Sequence, residues 1–177
     1  LVRWRWKRLA RKEAVAIRDE GPQPREKTPR CWPPSASPLF QDIDCAIART
    51  IPFMDDAEPK QEVRRMLLDL IDRAEDLIYI ENQFASRQEI AERLNERLKK
   101  CPNLRVLLVS SYEPEGTVER EAYWASRVDF KKILEAGVEP ERILMASSSY
   151  EDDDGNTTSK RVHSKVMTID DRYMVIG

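Results

Sequence analysis

Histidine is the scarcest side chain that bears on function: His163 is the only one in 177 residues. Cysteine is scarce too. Cys31, Cys45 and Cys101 are odd in number, scattered, and without a C-x-x-C spacing, which excludes a zinc site or a disulfide framework as the organising feature. Reduced thiols, mostly buried, are the default, and they fit a cytoplasmic setting. No apolar run approaches the ~20 residues of a membrane span, and no signal-peptide core comes after Leu1. Charge of one sign is lacking as well. The net charge of −2 leaves bulk electrostatics neutral about a polyanionic partner. The chain opens on Leu rather than Met and reads as an excerpt cut at both ends.

What is present suits one domain with a real core: 41% apolar and 35% charged residues. Residues 1–20 begin with a basic stretch, Arg3 to Lys12, that also carries Trp4 and Trp6. This is either a helix on anionic lipid or the tail helix of a preceding domain, and the missing amphipathic spacing favours the second. Residues 21–38 hold most of the prolines and read as an extended linker, in which Trp32 could pack onto the next domain. A domain over 39–177 remains.

Within it, the alternation of Ile43, Cys45, Ile47 and Arg49 predicts a first strand over Asp42–Thr50. Val63, Met66, Leu67, Leu70, Ile71 and Ala74 form an apolar stripe that predicts a helix from Pro59 to Asp76. Leu77–Glu81 is a short buried-strand pattern. Ser86 and Glu89 make an S-x-x-E capping box for a helix running to Lys100, with Ile90, Leu94 and Leu98 inward. The apolar run Leu104–Ser110 predicts a strand covered on both faces. A helix over Thr117–Ala136 stops at Gly137 in a left-handed cap, and a strand comes next over Arg142–Ala146. Ser147–Lys160, with its acidic run Glu151–Asp154, reads as a solvated loop. The alternation implies an α/β fold, a layered sandwich with a mostly parallel mixed sheet flanked by helices.

The chemistry concentrates near the C-terminal end. Val162–Ile169 is rich in β-branched residues and predicts a strand, on which His163 and Lys165 would share a face. Asp170-Asp171-Arg172 is a polar turn, and Tyr173–Gly177 a returning strand. An imidazole beside an ammonium suits a phosphodiester: one attacks or protonates while the other holds anionic oxygens. A bare H-x-K is weak evidence, since a lone histidine on a strand is usually structural.

The longer pattern is more specific. His163, Lys165, Asp170 and Gly177 resemble, position by position, the H-x-K-x-x-x-x-D-x6-G-S-x-N signature of the phospholipase D superfamily. Ile78-Tyr79-Ile80-Glu81-Asn82-Gln83-Phe84 resembles a second block of that family, and Ala46–Thr50 with Pro52 a third. The resemblance covers about Trp32 to Gly177. It implies one half of a two-lobed enzyme whose two H-K-D motifs meet in one site. One histidine forms a phosphohistidine, and the other protonates the leaving alcohol. No metal or other cofactor is implied, and His163 and Lys165 would be catalytic. Asp170 would join them in a supporting role, Glu81 would orient an imidazole, and Asn82, Gln83 and Gly177 would shape the site. The implied partners are a phospholipid, with peripheral membrane contact, and a missing N-terminal half or a homodimer mate. Alternatives are a nuclease, a cardiolipin-synthase-like transferase, or a non-catalytic membrane-surface module. Nucleic acid is the weaker partner. With one histidine, the chain alone is expected to be inactive or nearly so.

Overall fold

A computed structural model describes residues 42–53, 58–111 and 117–177, together with Ser37, the side chains of 117–122 excepted. The chain divides into two compact units, 1–45 and 46–177. The basic N-terminal segment, the proline-rich linker apart from Ser37, and Trp32 lie outside the described residues.

The first expected strand does not form over its length. Only Thr50–Ile51 (β1) pairs, antiparallel, with Lys60–Gln61 (β2). Ile47 is 86% exposed, so the alternation over 43–49 has no surface to pack on. Arg49 instead closes onto the next helix: its backbone N–H and Nε both donate to Glu62 Oε2, at 3.0 and 2.8 Å. That helix, α1 (Glu62–Arg73), is shorter than its apolar stripe predicts at both ends. β3 (Leu77–Asn82) forms where expected.

Helix α2 (Gln88–Lys100) has no side-chain N-cap. The expected capping box does not form: the helix begins one residue too late for it, with Arg87 rather than Ser86 at the N-cap, and Glu89 is engaged by the guanidinium of Arg64, a residue of α1. β4 (Arg105–Val109), α3 (Thr117–Glu135), a 3-10 turn at Pro140–Arg142 and β5 (Ile143–Ala146) complete the alternating part. Gly137 adopts φ 69° just beyond α3, the left-handed geometry expected of it. Two polar side chains satisfy the carbonyls left open where α2 and α3 end. Asn95, buried, donates Nδ2 to Leu134 and Ala136 carbonyls, both at 2.9 Å. Arg142 donates to the carbonyls of Leu98 and Cys101, at 2.7 and 2.5 Å.

The expected loop at 147–160 contains a hairpin, β6 (Ser149–Glu151) and β7 (Thr157–Ser159). Asp152 organises its turn by accepting backbone N–H groups from Asp154 and Asn156 at 3.1 and 2.8 Å. Asp and Asn side chains favour such local turns over open coil. β8 (Lys165–Ile169) and β9 (Tyr173–Ile176) are the last two strands.

The main sheet has five strands in the order β5-β4-β3-β8-β9. The fold is α/β with the mixed sheet expected: four of its five strands run the same way and β8 alone is reversed. β5, β4 and β3 run parallel, while β8 is antiparallel to both β3 and β9. The reversal between β8 and β9 is forced by connection length. They join through a tight turn, which only antiparallel neighbours allow.

Register sorts the sheet into two faces. Ile78 pairs with Val106 and Ile169, and Ile80 with Leu108 and Met167; all six are buried. They form the core with Ile71 of α1, Leu94 and Leu98 of α2, and Phe130 and Leu134 of α3. The other face carries Leu144, Met174 and Ile176, exposed at 60, 62 and 73%. β4 is thus covered on one face, not both. Val106 and Leu108 are buried, while Leu107 and Val109 are only half-buried.

Candidate functional site

Because β8 is antiparallel to β3, the end of β3 and the start of β8 lie on the same edge of the sheet. β4 is parallel to β3, so its end reaches that edge as well. The C-terminal ends of parallel strands are where α/β sheets gather ligands. The structure brings His163, Lys165, Glu81, Asn82, Gln83 and Gly177 to this edge.

The strand begins at Lys165, three residues later than expected, so His163 lies in the extended approach to it. Its side chain is exposed. The approach is pinned rather than paired. Val162, buried, donates its N–H to Ser111 Oγ at 2.9 Å, and that hydroxyl turns back to the Val162 carbonyl at 3.4 Å. The neighbouring Ser110 donates to the Gln83 carbonyl at 3.1 Å. Two adjacent serines at the end of β4 thereby hold both flanks of the site. Arg127 of α3 donates to the Ser111 carbonyl, and burial of its guanidinium lowers its pKa.

Lys165 Nζ donates to the His163 carbonyl at 2.7 Å, with Gln83 Oε1 at 3.4 Å. Both partners are neutral, and no carboxylate among the described residues pairs with this ammonium. Asn82 stands opposite Lys165 in the register and caps the next turn, its Oδ1 accepting the Phe84 N–H at 2.9 Å. Phe84 stacks on Tyr123 with centroids 4.6 Å apart, which fixes the chain leaving the site. Gly177 donates its N–H to the Lys165 carbonyl at 2.8 Å. A Cβ there would meet Lys165 Cβ at an ordinary 3.9 Å, so space alone does not demand glycine.

Two carboxylates are engaged by groups other than the His163 imidazole. Glu81 does not touch the imidazole. Its carboxylate accepts from Ser164 Oγ and from Tyr79 Oη. It orients the peptide between His163 and Lys165 rather than the imidazole itself. The Ser164 hydroxyl, and then that of Tyr79, hold the Glu81 carboxyl below its ordinary range, and the Tyr79 hydroxyl is pushed up in return.

Asp170 lies off the His163–Lys165 pair, in the turn after β8. It sits at the far end of β8, about 17 Å from Lys165 at the rise of an extended strand. Its carboxylate accepts three backbone N–H groups, from Glu75 at 2.7 Å and from Asp76 and Leu77 at 2.9 Å. It is a structural clasp on the entry to β3, not a member of the cluster around His163. The signature places it in sequence with His163 and Lys165, but a strand separates them in space.

Ser110, Ser111, Arg127, Tyr79 and Ser164 were not legible as site residues. Their roles depend on partners distant in sequence, apart from the i, i+2 alternation that sets Tyr79 beside Glu81. Among the described residues no cluster of three or more His, Cys, Asp or Glu side chains could hold a metal ion. No described helix is long and apolar enough to cross a membrane.

The Glu81 contacts carry a pH prediction. A carboxyl whose pKa is depressed on folding adds stability above its unfolded value, near 4.3, and loses it as pH falls through the folded value. The melting temperature should therefore decline with acidification from about pH 4.5 downward, and Glu81→Gln should flatten part of that decline. Thermal melts from pH 3 to 7 on both proteins test this; parallel curves would overturn it.

No protein-family model matches the chain, and no curated protein matches it either.

Proposed function

We propose that the chain supplies half of a phosphodiester-cleaving site of the phospholipase D type, acting on glycerophospholipids. One juxtaposition supports the reading above others: an exposed imidazole two residues from an ammonium that only neutral oxygens hold, at the ligand-gathering edge of an α/β sheet. In this reading an imidazole nitrogen attacks phosphorus and the bond to the head-group alcohol breaks. A second imidazole, from another copy or from sequence outside these residues, protonates that alcohol. Lys165 neutralises the non-bridging oxygens as charge develops on them. Water or another alcohol then attacks phosphorus, the P–N bond breaks, and the attacking group's proton passes to the second imidazole. His163 fits either imidazole role. Contact with lipid is peripheral.

The test is interception. Full-length protein is incubated with phosphatidylcholine vesicles and ethanol. A phosphohistidine intermediate partitions between water and the alcohol, so phosphatidylethanol should accumulate alongside phosphatidic acid. Choline release with no phosphatidylethanol at any ethanol concentration would mean direct attack by water, and the covalent reading would fall. Absence of choline release would remove the lipid activity altogether.

A further inference from the structure

The segment that carries His163 lies between strands, not in one. β7 ends at Ser159 and β8 begins at Lys165. Buried backbone N–H and C=O groups in such a segment must find partners outside a ladder. Val162 finds both in one side chain. Its N–H donates to Ser111 Oγ at 2.9 Å, and that hydroxyl donates to its carbonyl at 3.4 Å. A hydroxyl has one donor hydrogen and two acceptor lone pairs, so a single serine can stand in for a neighbouring strand. Ser111 is buried and is itself tied to three elements. Its carbonyl accepts from the Arg127 guanidinium on α3. Ser110, just before it, donates its N–H to the Ala146 carbonyl of β5 at 3.0 Å, and its hydroxyl to the Gln83 carbonyl beyond β3 at 3.1 Å.

We infer that Ser111 is a positioning residue for His163: its hydroxyl sets the direction of the imidazole, and Arg127 in turn sets Ser111. The inference rests on the phosphodiesterase reading and adds to it two side chains that act only through His163. Neighbouring side chains of an extended segment point opposite ways. Val162 is buried and His163 is exposed, so the pin that keeps Val162 inward keeps the imidazole outward. On its C-terminal side His163 is flanked by the Lys165 ammonium on its carbonyl and by Glu81 on Ser164. Ser111 holds the N-terminal side. Consecutive Cα atoms are only about 3.8 Å apart, so a shift of Val162 passes to His163 almost undiminished. A misplacement of about 1 Å at a reacting group can cost on the order of a hundred-fold in rate. Alanine at 111 would leave the buried Val162 N–H without its acceptor, whereas threonine keeps a hydroxyl at the same carbon.

The experiment uses full-length protein. Choline release from phosphatidylcholine vesicles gives kcat and KM, thermal melts report folding, and 15N relaxation well below the melting temperature gives the order of the His163 amide. Ser111→Ala should lower kcat roughly ten- to a hundred-fold with KM within about two-fold of wild type, and the His163 amide should become more mobile. Ser111→Thr should recover kcat to within about three-fold of wild type, because the hydroxyl returns. Arg127→Met should move kcat and amide order in the same direction by a smaller factor, and it decides the matter if Ser111→Ala does not fold. Turnover per folded molecule unchanged in Ser111→Ala would overturn the proposal, and so would a loss confined to melting temperature. A rise in KM alone would overturn it too, because it would make the hydroxyl a substrate contact. Ser111→Thr as impaired as Ser111→Ala would overturn it by tracing the effect to side-chain volume. Should the wild type release no choline, the catalytic reading falls by itself. Amide order then still decides: a His163 amide as rigid in folded Ser111→Ala as in wild type refutes the pin, and a more mobile one upholds it.

Discussion

Replacing His163 with Asn is expected to lower phosphodiester turnover by about a thousand-fold or more while leaving the fold intact. The size comes from the role. An imidazole that attacks phosphorus, or protonates the leaving alcohol, acts at the bond that breaks. Losing one member of such a concerted set costs nearly as much as losing several. Indifference of the fold comes from the surroundings. The side chain is exposed, and no hydrogen bond or ion pair of its imidazole is present among the described residues. Substitutions of that kind change stability by about 0.5 kcal/mol or less. The neighbouring backbone is held by Val162 on Ser111 and by the Lys165 ammonium on the His163 carbonyl. Neither contact uses the ring. Lys165→Gln should fall between, losing about a hundred-fold, because it stabilises charge without making or breaking a bond. Choline release and phosphatidylethanol formation in the full-length protein, with circular dichroism melts of each variant, provide the measurement. Undiminished turnover in His163→Asn would end the assignment. Lost turnover accompanied by a melting temperature lower by many degrees would assign the residue to structure instead.

Local signals carried much of the fold into the sequence, and the failures share one cause. The stripe from Val63 to Ala74 was legible because a helix declares itself at i, i+3 and i+4, and Ile71 and Ala74 are indeed fully buried. Leu77–Glu81 was legible as a short apolar run bounded by polar residues. The segment from Asp42 to Thr50 alternates equally well, yet only its last residue pairs, because a strand exists through a partner and alternation alone does not supply one. Ser86 and Glu89 fit a capping box, but Glu89 answers to Arg64, twenty-five residues earlier. The antiparallel placement of β8 likewise depends on a distant neighbour. In the site, the spacing of His163 and Lys165 was visible. The clasp of Glu81 on Ser164 was not, since it joins residues 83 positions apart.

Asp170 is engaged in the turn beyond β8, and there the second large effect is expected. Asp170→Ala should destabilise the protein by about 2–3 kcal/mol, the loss expected when hydrogen bonds to a charged acceptor are removed together. In a unit of this size that corresponds to a fall in melting temperature of roughly 5–10 °C. The carboxylate accepts from Glu75, Asp76 and Leu77, so it joins the end of β8 to the start of β3, the central strand of the sheet. The clasp is reinforced by backbone: the Asp170 N–H donates to the Leu77 carbonyl at 3.0 Å. Burial alone would push this carboxyl up, but the three N–H donors and the nearby Arg172 outweigh it and hold the group below its ordinary range. A depressed folded pKa contributes stability above the unfolded value and loses it as pH falls through the folded one. The gap between wild type and Asp170→Ala should therefore be widest at neutral pH and close below about pH 4. Asp170→Asn retains one acceptor and should lose less. Because Asp170 stands a strand's length from Lys165, turnover per folded molecule at low temperature should stay within a few-fold of wild type for both variants. A thousand-fold loss in well-folded Asp170→Asn would return this residue to the catalytic set; a pH-independent stability gap would mean the three N–H contacts do not carry the effect.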